Sequence, residues 1–454
     1  MRRRCIIITE HINIHHKKGV EKMINVGIIG FGIVGSGTAK VLIENKDILK
    51  ERLGFQLNLK RIADLDIKRD RGIKVPKGVL TTDVNEIFND PDIQIVVELI
   101  GGIRPAKDFI LKAIQKGKHV VTANKALLAT EGVDIFAAAR KAGVEVGFEA
   151  AVAGAIPIIK VMKEGLIANR IKAVYGIING TSNYILTKMT DEHVEFSDAL
   201  KEAQALGYAE ADPTFDIEGI DTAHKLTLLA TLAYGIPLSY NSVYIEGISK
   251  ISSHDIDFAS ELGYKVKLLA ITKESEGEIE LRVHPTMLPK NYLIAKVDGP
   301  FNAIYVDGDA TGSTLYYGRG AGSVPTGSAV VSDIADIARN IQKNAIGRVP
   351  TIPRISRGAD IKKIDDVVSR YYFRFSALDK PGVLSKISGI LGNFNISIAS
   401  VIQKGRRVGE AVPLVVLTHE AKEKDVRQAL EEIDKLPVVM GKTVVIRVEG
   451  KEEG

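Results

Sequence analysis

Residues 24–37, INVGIIGFGIVGSG, leave the chain few backbones to choose from. The apolar run Ile24 to Ile29 reads as a buried strand. It passes directly into Gly30-x-Gly32-x-x-Gly35 and a helix carrying Val34, Val41, Leu42 and Ile48. The spacing has a mechanical reason: Gly30 permits a tight turn, Gly32 lets a pyrophosphate approach the backbone, and Gly35 lets the helix lie on the strand with its N-terminus facing the phosphates. Glycine turns also arise from packing alone. Here, however, a strand precedes, a helix follows, and a second strand, LNLKRIADLD, comes next, which is the context a dinucleotide site needs. Ile29, Gly30, Phe31, Gly32, Ile33, Val34, Gly35 and Ser36 are therefore the candidate cofactor cradle.

Further alternation follows: IQIVVELIGG as strand, AKDFILKAIQKG as helix, HVVTAN as strand, GVDIFAAARKAG as helix and VEVGFEAAV as strand. This is the α/β pattern of a Rossmann-type, doubly wound parallel sheet. Lys125, in VTANKALLA, falls just after a strand's carboxyl end, where ligands sit in such sheets. A surface lysine opening a helix is the plain alternative. The end of the second strand reports on the adenine ribose, because a carboxylate there binds the 2′-hydroxyl while a basic residue accommodates a 2′-phosphate. Asp64 and Asp66 argue for NAD, whereas Lys68, Arg69, Arg71 and Lys74 can meet a phosphate or simply line a solvated loop, so NAD and NADP both stay open.

In the middle of the chain IKAVYGIINGTSNYILTKM reads as a strand ending in a Gly-Thr-Ser turn that opens a helix. Backbone N–H groups from Asn179 to Asn183 can receive a substrate carboxylate there, although a plain Ser or Thr N-cap explains the same residues. EADPTFDIEGIDTAHK then sets Glu210, Asp212, Asp216, Glu218 and Asp221 before Lys225. A helix beginning near Ile217 to Ile220 places Asp221 and Lys225 one turn apart on one face. An exposed pair of this kind is worth only about 0.3–0.5 kcal/mol and needs no function. The apolar run after Lys225 instead predicts a helix that enters a core and carries its lysine to a covered site, where burial lowers the pKa and carboxylates raise it. Such a lysine exchanges a proton near neutral pH. The carboxylates lack EF-hand spacing.

Charge excludes one class of partner. The net +5 comes mostly from residues 1–22; beyond them stand 55 basic and 54 acidic residues, so nothing supports nucleic-acid binding. No apolar run reaches the ~20 residues of a membrane span. The single Cys5 cannot form an internal disulfide, and the opening residues lack an export signal, so a cytoplasmic protein is expected. His11, His15 and His16 receive no function, nor does the rest of the extension before Met23.

GFGIVGSG, TANKALLA, NGTSNYIL, GYAEADPTFDIEGIDTAHKL and GRGAGSVPTGSAVVSDIADIAR together resemble homoserine dehydrogenase, in that family's order and over roughly residues 23–345. The resemblance implies interconversion of L-homoserine and L-aspartate 4-semialdehyde with NAD or NADP, in threonine and methionine biosynthesis, by a homo-oligomer. It makes Lys225 the proton donor in aldehyde reduction and puts Lys125 at the nicotinamide and substrate, with Asp221 orienting Lys225. Glu210 contacts the homoserine amino group, and Asp216, Thr181 and Tyr208 line the substrate. It further implies a monovalent cation, sodium, on backbone carbonyls of Glu149, Val152, Gly154 and Ile156; in the returning glycine turn, Gly320 and Gly322 either approach the cofactor or serve packing alone. NADP-using relatives carry an arginine before the aspartate ending the second strand; here Leu65 precedes Asp66, which leans towards NAD.

After a polar stretch with two prolines the pattern restarts at RYYFRFSALDKPGVLSKISGIL and runs strand, helix, strand, strand, helix, strand. This βαββαβ order resembles an ACT domain, a module that pairs and holds an amino acid; threonine is the expected effector, near Gly382, Asn395 and Ile396. The resulting division is an extension (1–22), a nucleotide-binding domain (23–150), an α+β catalytic and dimerisation domain (151–318), a return segment (319–345), a linker (346–370) and the ACT domain (371–450). The competing readings are another amino-acid dehydrogenase, such as one acting on aspartate, and an amino-acid-sensing binding protein with an inactive dehydrogenase core. Sensing needs neither Lys125 nor Lys225.

Overall fold

The computed structural model describes residues 23–355, 360–404 and 410–450. The N-terminal extension and its histidines lie outside these.

The first sheet is parallel and six-stranded. Its spatial order is Leu80–Thr81, Gln56–Ala63, Met23–Ile29, Ile93–Glu98, His119–Thr122 and Val146–Gly147. Strands buried on both faces must be apolar throughout, which is why Val26, Ile28, Ile95 and Val97 are continuous apolar sequence. One face is closed by the helix Ser323–Lys343, whose Val330, Ile334 and Ile337 share a core with Val26, Ile28 and Val97. Each such side chain contributes roughly 1.5–3 kcal/mol of burial. The chain therefore returns to the nucleotide domain through this helix.

Two local expectations change. VEVGFEAAV forms only the two-residue strand Val146–Gly147, then the short 3-10 turn Glu149–Ala151. The second strand stops at Ala63 rather than running to Asp66, because Asp64 Oδ1 accepts the Asp66 N–H (2.8 Å) and turns the backbone out of the sheet.

The second sheet is mixed. Its path is Gly312–Arg319, Phe301–Gly308, Ile171–Ile177, Tyr264–Ser275, Glu278–Pro289, Val444–Val448, Val368–Leu378, Ala411–Thr418 and Ile398–Gln403. The last four belong to the C-terminal βαββαβ module, which also carries helices Val383–Asn393 and Glu423–Ile433. The module does not hang free behind its linker. Its final strand pairs in parallel with Glu278–Pro289, matching Thr286 to Arg447 and Met287 to Val448. Ion pairs flank the seam: buried Arg282 holds Glu449 (2.8 Å), and Arg374 holds fully buried Asp255 (2.6 Å).

Among the described residues no helix is long and apolar enough to cross a membrane. The helix Ile220–Tyr234 is buried without interruption from Asp221 to Leu232. The helix is buried on all sides, so Asp221 and Lys225 lie inside the protein and not on a solvated face.

Candidate active site

The glycine turn has the shape its spacing predicts. Gly30 has φ 98°, and a Cβ on Gly35 would stand 2.0 Å from the Gly30 carbonyl oxygen, so only glycine lets the helix Ile33–Glu44 sit this close. Nothing lies within 4 Å of a Cβ built on Gly32, which leaves the helix N-terminus open to a phosphate. The Phe31 N–H donates to Asp64 Oδ2 (2.5 Å), while the Arg71 guanidinium stacks 4.8 Å from the Phe31 ring centroid and 3.5 Å from Asp64 Oδ1. The carboxylate at the strand end is thus Asp64. Asp66 instead accepts the N–H groups of Lys68 (3.3 Å) and Arg69 (3.1 Å), so Leu65 and Asp66 lie in the turn beyond the strand end. Ser323 Oγ, next to Gly322, donates to the Ile33 carbonyl (2.8 Å) and ties the return turn to the cradle.

Across from the cradle, three segments converge on one buried cluster. Lys225 Nζ donates to Asp221 Oδ2 (2.5 Å) and to the Ile178 carbonyl (2.6 Å). Lys125, first residue of the helix Lys125–Ala142, brings its ammonium to 3.1 Å from Asp221 Oδ1. Asn179 Nδ2 donates to Asp216 Oδ1 (2.7 Å) and Asp221 Oδ2 (2.9 Å), while its Oδ1 caps the helix Gly180–Glu192 by accepting the Ser182 N–H (2.8 Å).

The charges follow from this packing. Burial alone would raise the Asp221 pKa, but Lys225, Lys125 and the Lys225 and Asn179 hydrogen bonds hold it well below the usual carboxylate range. For Lys225, burial lowers the pKa; Lys125 lowers it further, and the attraction of Asp221 opposes both without cancelling them. Burial raises Asp216, with the negative charge of Asp221 adding to it. Burial also lowers His224 to about 4, and its ring stacks on Tyr240 at 4.4 Å between centroids.

The substrate-lining expectations fare unequally. Thr181 Oγ1 donates to the Tyr208 carbonyl (2.7 Å), and the Tyr208 ring packs 4.8 Å from Tyr184, so these residues form one wall. Glu210 is exposed. Its backbone carbonyl accepts from Gln204 Nε2 (3.1 Å), but its carboxylate makes no hydrogen bond to the Lys225 cluster among the described residues. The side chain of Asn179 and the Ile178 carbonyl were not anticipated. A backbone ligand leaves no trace in sequence, but an asparagine three residues before Ser182 is an N-cap signal that could have drawn attention to Asn179.

In the loop from Glu149 to Ile156, Ala153 and Gly154 both have φ 55°. The Glu149 carboxylate accepts the Ile159 (2.8 Å) and Lys160 (2.9 Å) N–H groups, and burial pushes its pKa up to about 7. The carbonyls of Glu149 and Ile156 accept from Val152 (3.4 Å) and Ile158 (2.8 Å), whereas those of Val152 and Gly154 receive no hydrogen bond from the described residues. In the C-terminal module, Gly382 precedes the helix Val383–Asn393, while Asn395 and Ile396 follow it. They mark opposite ends, roughly 16 Å apart at 1.5 Å per residue, so one chain does not bring them to a single point.

Family models for the homoserine dehydrogenase NAD-binding domain (residues 30–149), homoserine dehydrogenase (157–335) and the ACT domain (371–438) match the chain. The homoserine dehydrogenase of Neisseria gonorrhoeae is 48% identical over 94% of this chain and 99% of its own length. A crystal structure of a homoserine dehydrogenase from Thiobacillus denitrificans superposes with TM-score 0.90 at 50% identity, covering 94% of this chain and 98% of that one. A hyperthermophilic archaeal homoserine dehydrogenase mutant in complex with NADPH gives TM-score 0.58 at 26% identity, over 70% of this chain and 98% of that one.

Proposed function

The chain belongs to the homoserine dehydrogenase family, and from that premise we propose that Lys225, Asp221 and Lys125 are the residues with which it interconverts L-homoserine and L-aspartate 4-semialdehyde. NAD or NADP supplies or removes the hydride. The remaining work falls to the chain. A lysine ammonium has three N–H donors. In Lys225 two are spent on Asp221 and Ile178, which leaves one for the substrate oxygen. In the reducing direction that N–H protonates the developing alkoxide; in the oxidising direction the neutral amine takes the hydroxyl proton. Lys125 adds positive charge beside the same oxygen. The observation that carries this reading is the buried Lys225–Asp221–Lys125 cluster, which an inactive amino-acid-sensing core does not require.

For substrate recognition we assign the carboxylate to the N-terminus of the helix Gly180–Glu192, beside the Ser182 N–H that Asn179 caps, and the amino group to Glu210 and Asp216, beside Thr181 and Tyr208. Exposed Glu210 must then turn towards the cluster on binding. The open carbonyls of Val152 and Gly154 suit a monovalent cation such as sodium, with Glu149 and Ile156 beside them. Because Gly382 and Asn395–Ile396 sit at opposite helix ends, a threonine site using all three requires two copies of the chain. Isothermal titration with threonine is expected to show saturable binding that Asn395→Ala weakens, and an absence of saturation would leave the module as a ligand-free dimerising unit.

The test of function is nicotinamide reduction on adding L-homoserine, run separately with NAD and NADP. Turnover with neither would sink the assignment. Asp64→Ala is expected to raise the NADP-to-NAD ratio of kcat/KM by about tenfold, or ~1.4 kcal/mol, because a carboxylate repels a 2′-phosphate and Arg71 then meets it alone.

A further inference from the structure

A buried arginine of the C-terminal module contacts the segment that supports the proposed proton-transfer helix. Arg447, on the module's last strand, is 3% exposed. Its Nε donates to Glu423 Oε2 (2.8 Å) and its Nη2 to Glu423 Oε1, at the start of the module's second helix. In the other direction Nη1 donates to Glu246 Oε2 (2.8 Å) and Nη2 to the Tyr244 hydroxyl (3.1 Å), with the guanidinium 4.8 Å from the Tyr244 ring centroid. Tyr244 and Glu246 belong to the catalytic part of the chain. Arg447 thus clamps Glu423 of the module to Tyr244 and Glu246 of the catalytic part.

The segment Tyr244–Ile248 in turn supports the entry to the helix Ile220–Tyr234. Its backbone is fixed on one side by Glu246 N–H donating to the Val283 carbonyl (2.8 Å), and on the other by Ile248 N–H donating to the Ile217 carbonyl (2.8 Å). At Gly247 the contact is backbone on backbone: a Cβ there would stand 2.6 Å from Glu218 Cα and 2.6 Å from the Ile217 oxygen. Gly219, the N-cap residue of the helix, has φ 80° and packs against Ile245, Val283 and the Glu246 carbonyl. Asp221 lies in the first turn of that helix and Lys225 in the next. The path from Arg447 to Asp221 is thus one continuous set of contacts, buried at Arg447, Ile217, Gly219 and Ile248 and half-buried at Tyr244–Gly247 and Glu218.

We propose that Arg447 is a positioning residue for catalysis: through Glu246 and the Gly247–Glu218 contact it sets the first turn of the helix that carries Asp221 and Lys225, so the state of the C-terminal module reaches the active site by this route. The inference rests on the proposed role of Lys225. Arginine suits the task because its planar fork binds two carboxylates in fixed geometry, which a lysine cannot do.

Three variants test it in the full-length enzyme. Gly247→Ala pushes the segment off Glu218 without touching an ion pair, and because Gly247 is not among the glycines of positive φ, the added methyl acts by contact alone. Arg447→Met and Glu246→Gln break the clamp from either side. Arg427→Met, which removes an exposed pair with Asp365 (2.9 Å) on the same module, is the control. The expected result is a fall in kcat for aldehyde reduction of roughly 2- to 30-fold in Gly247→Ala and Arg447→Met. The alkaline limb of the kcat profile shifts with it, KM for the nicotinamide stays within about twofold, and the control is unchanged. The limb is read as Lys225 among Asp221, Lys125, Asp216 and His224, the charged and titratable groups facing it. Arg447→Met combined with Glu246→Gln is expected to be no slower than Arg447→Met alone. Unchanged kcat and an unchanged limb in both Gly247→Ala and Arg447→Met, whatever happens to their Tm, overturn the proposal. If Lys225→Met keeps full turnover, the assignment of Lys225 fails instead, a separate outcome.

Discussion

Lys225→Met is expected to lower kcat for aldehyde reduction by at least about 100-fold, the usual contribution of general acid–base catalysis, in stopped-flow assays at saturating substrate and cofactor. Methionine matches the length of the stem and carries no proton to give. The nicotinamide affinity, read by fluorescence titration, is expected to stay within about threefold, because the glycine cradle lies on the first sheet and Lys225 on a helix of the catalytic part. Folding is a smaller confounder here than for most buried ion pairs, whose loss strands an unpaired charge. Removing the lysine leaves Asp221 with Lys125 at 3.1 Å and Asn179 at 2.9 Å, so the buried carboxylate keeps a cation and a donor. A variant that loses turnover through collapse of the site would lose cofactor affinity and Tm together.

Asp221→Asn is expected to be nearly as severe, and its signature lies in pH. Asp221 stands between two ammonium groups, and each contact is worth roughly 4 kcal/mol at 4 Å for an effective dielectric of 20, less for half-exposed Lys125. Without the carboxylate, burial and Lys125 act on Lys225 unopposed except by Asp216, so its pKa, already lowered, falls further. Reduction needs the protonated lysine. Its alkaline limb is therefore expected to move to lower pH, with kcat at pH 8 down roughly 100-fold and partly recovered on acidification. A uniform loss at all pH values would mean that Asp221 acts only on the fold. Stability gives a second reading: the depressed Asp221 pKa stabilises the fold above the unfolded value of about 3.9 and is lost as pH falls through the folded value. The asparagine variant should accordingly be less stable at neutral pH by about 3–5 kcal/mol, and the gap should narrow in acid.

What the sequence disclosed and what it withheld divide along physical lines. The cradle was legible because its requirements are local: β-branched residues for a strand buried on both faces, and glycines where the backbone turns or a helix must approach. The Asp221–Lys225 pair was legible because helical spacing fixes it, and the apolar run behind it announced a buried helix. Asn179 and the Ile178 carbonyl were not, since they meet the catalytic helix from 42 and 47 residues away and one of them acts through backbone. The sequence offered both Asp64 and Asp66 at the strand end and could not choose between them; the side-chain-to-backbone turn at Asp64 that halts the strand at Ala63 carries no periodic signal. The weld between the C-terminal module and the catalytic sheet rests on two residue pairs joining strands more than 150 residues apart, and no local pattern could report it.

The most direct test of the account is the pH dependence of kcat for the wild-type enzyme in both directions, from pH 6 to 10.5. If Lys225 carries the proton, aldehyde reduction falls on the alkaline side and homoserine oxidation falls on the acid side, the two limbs share one pKa below the ordinary lysine value, and Lys225→Met abolishes both. Limbs that run in the same direction in the two reactions, or that persist in Lys225→Met, would contradict it.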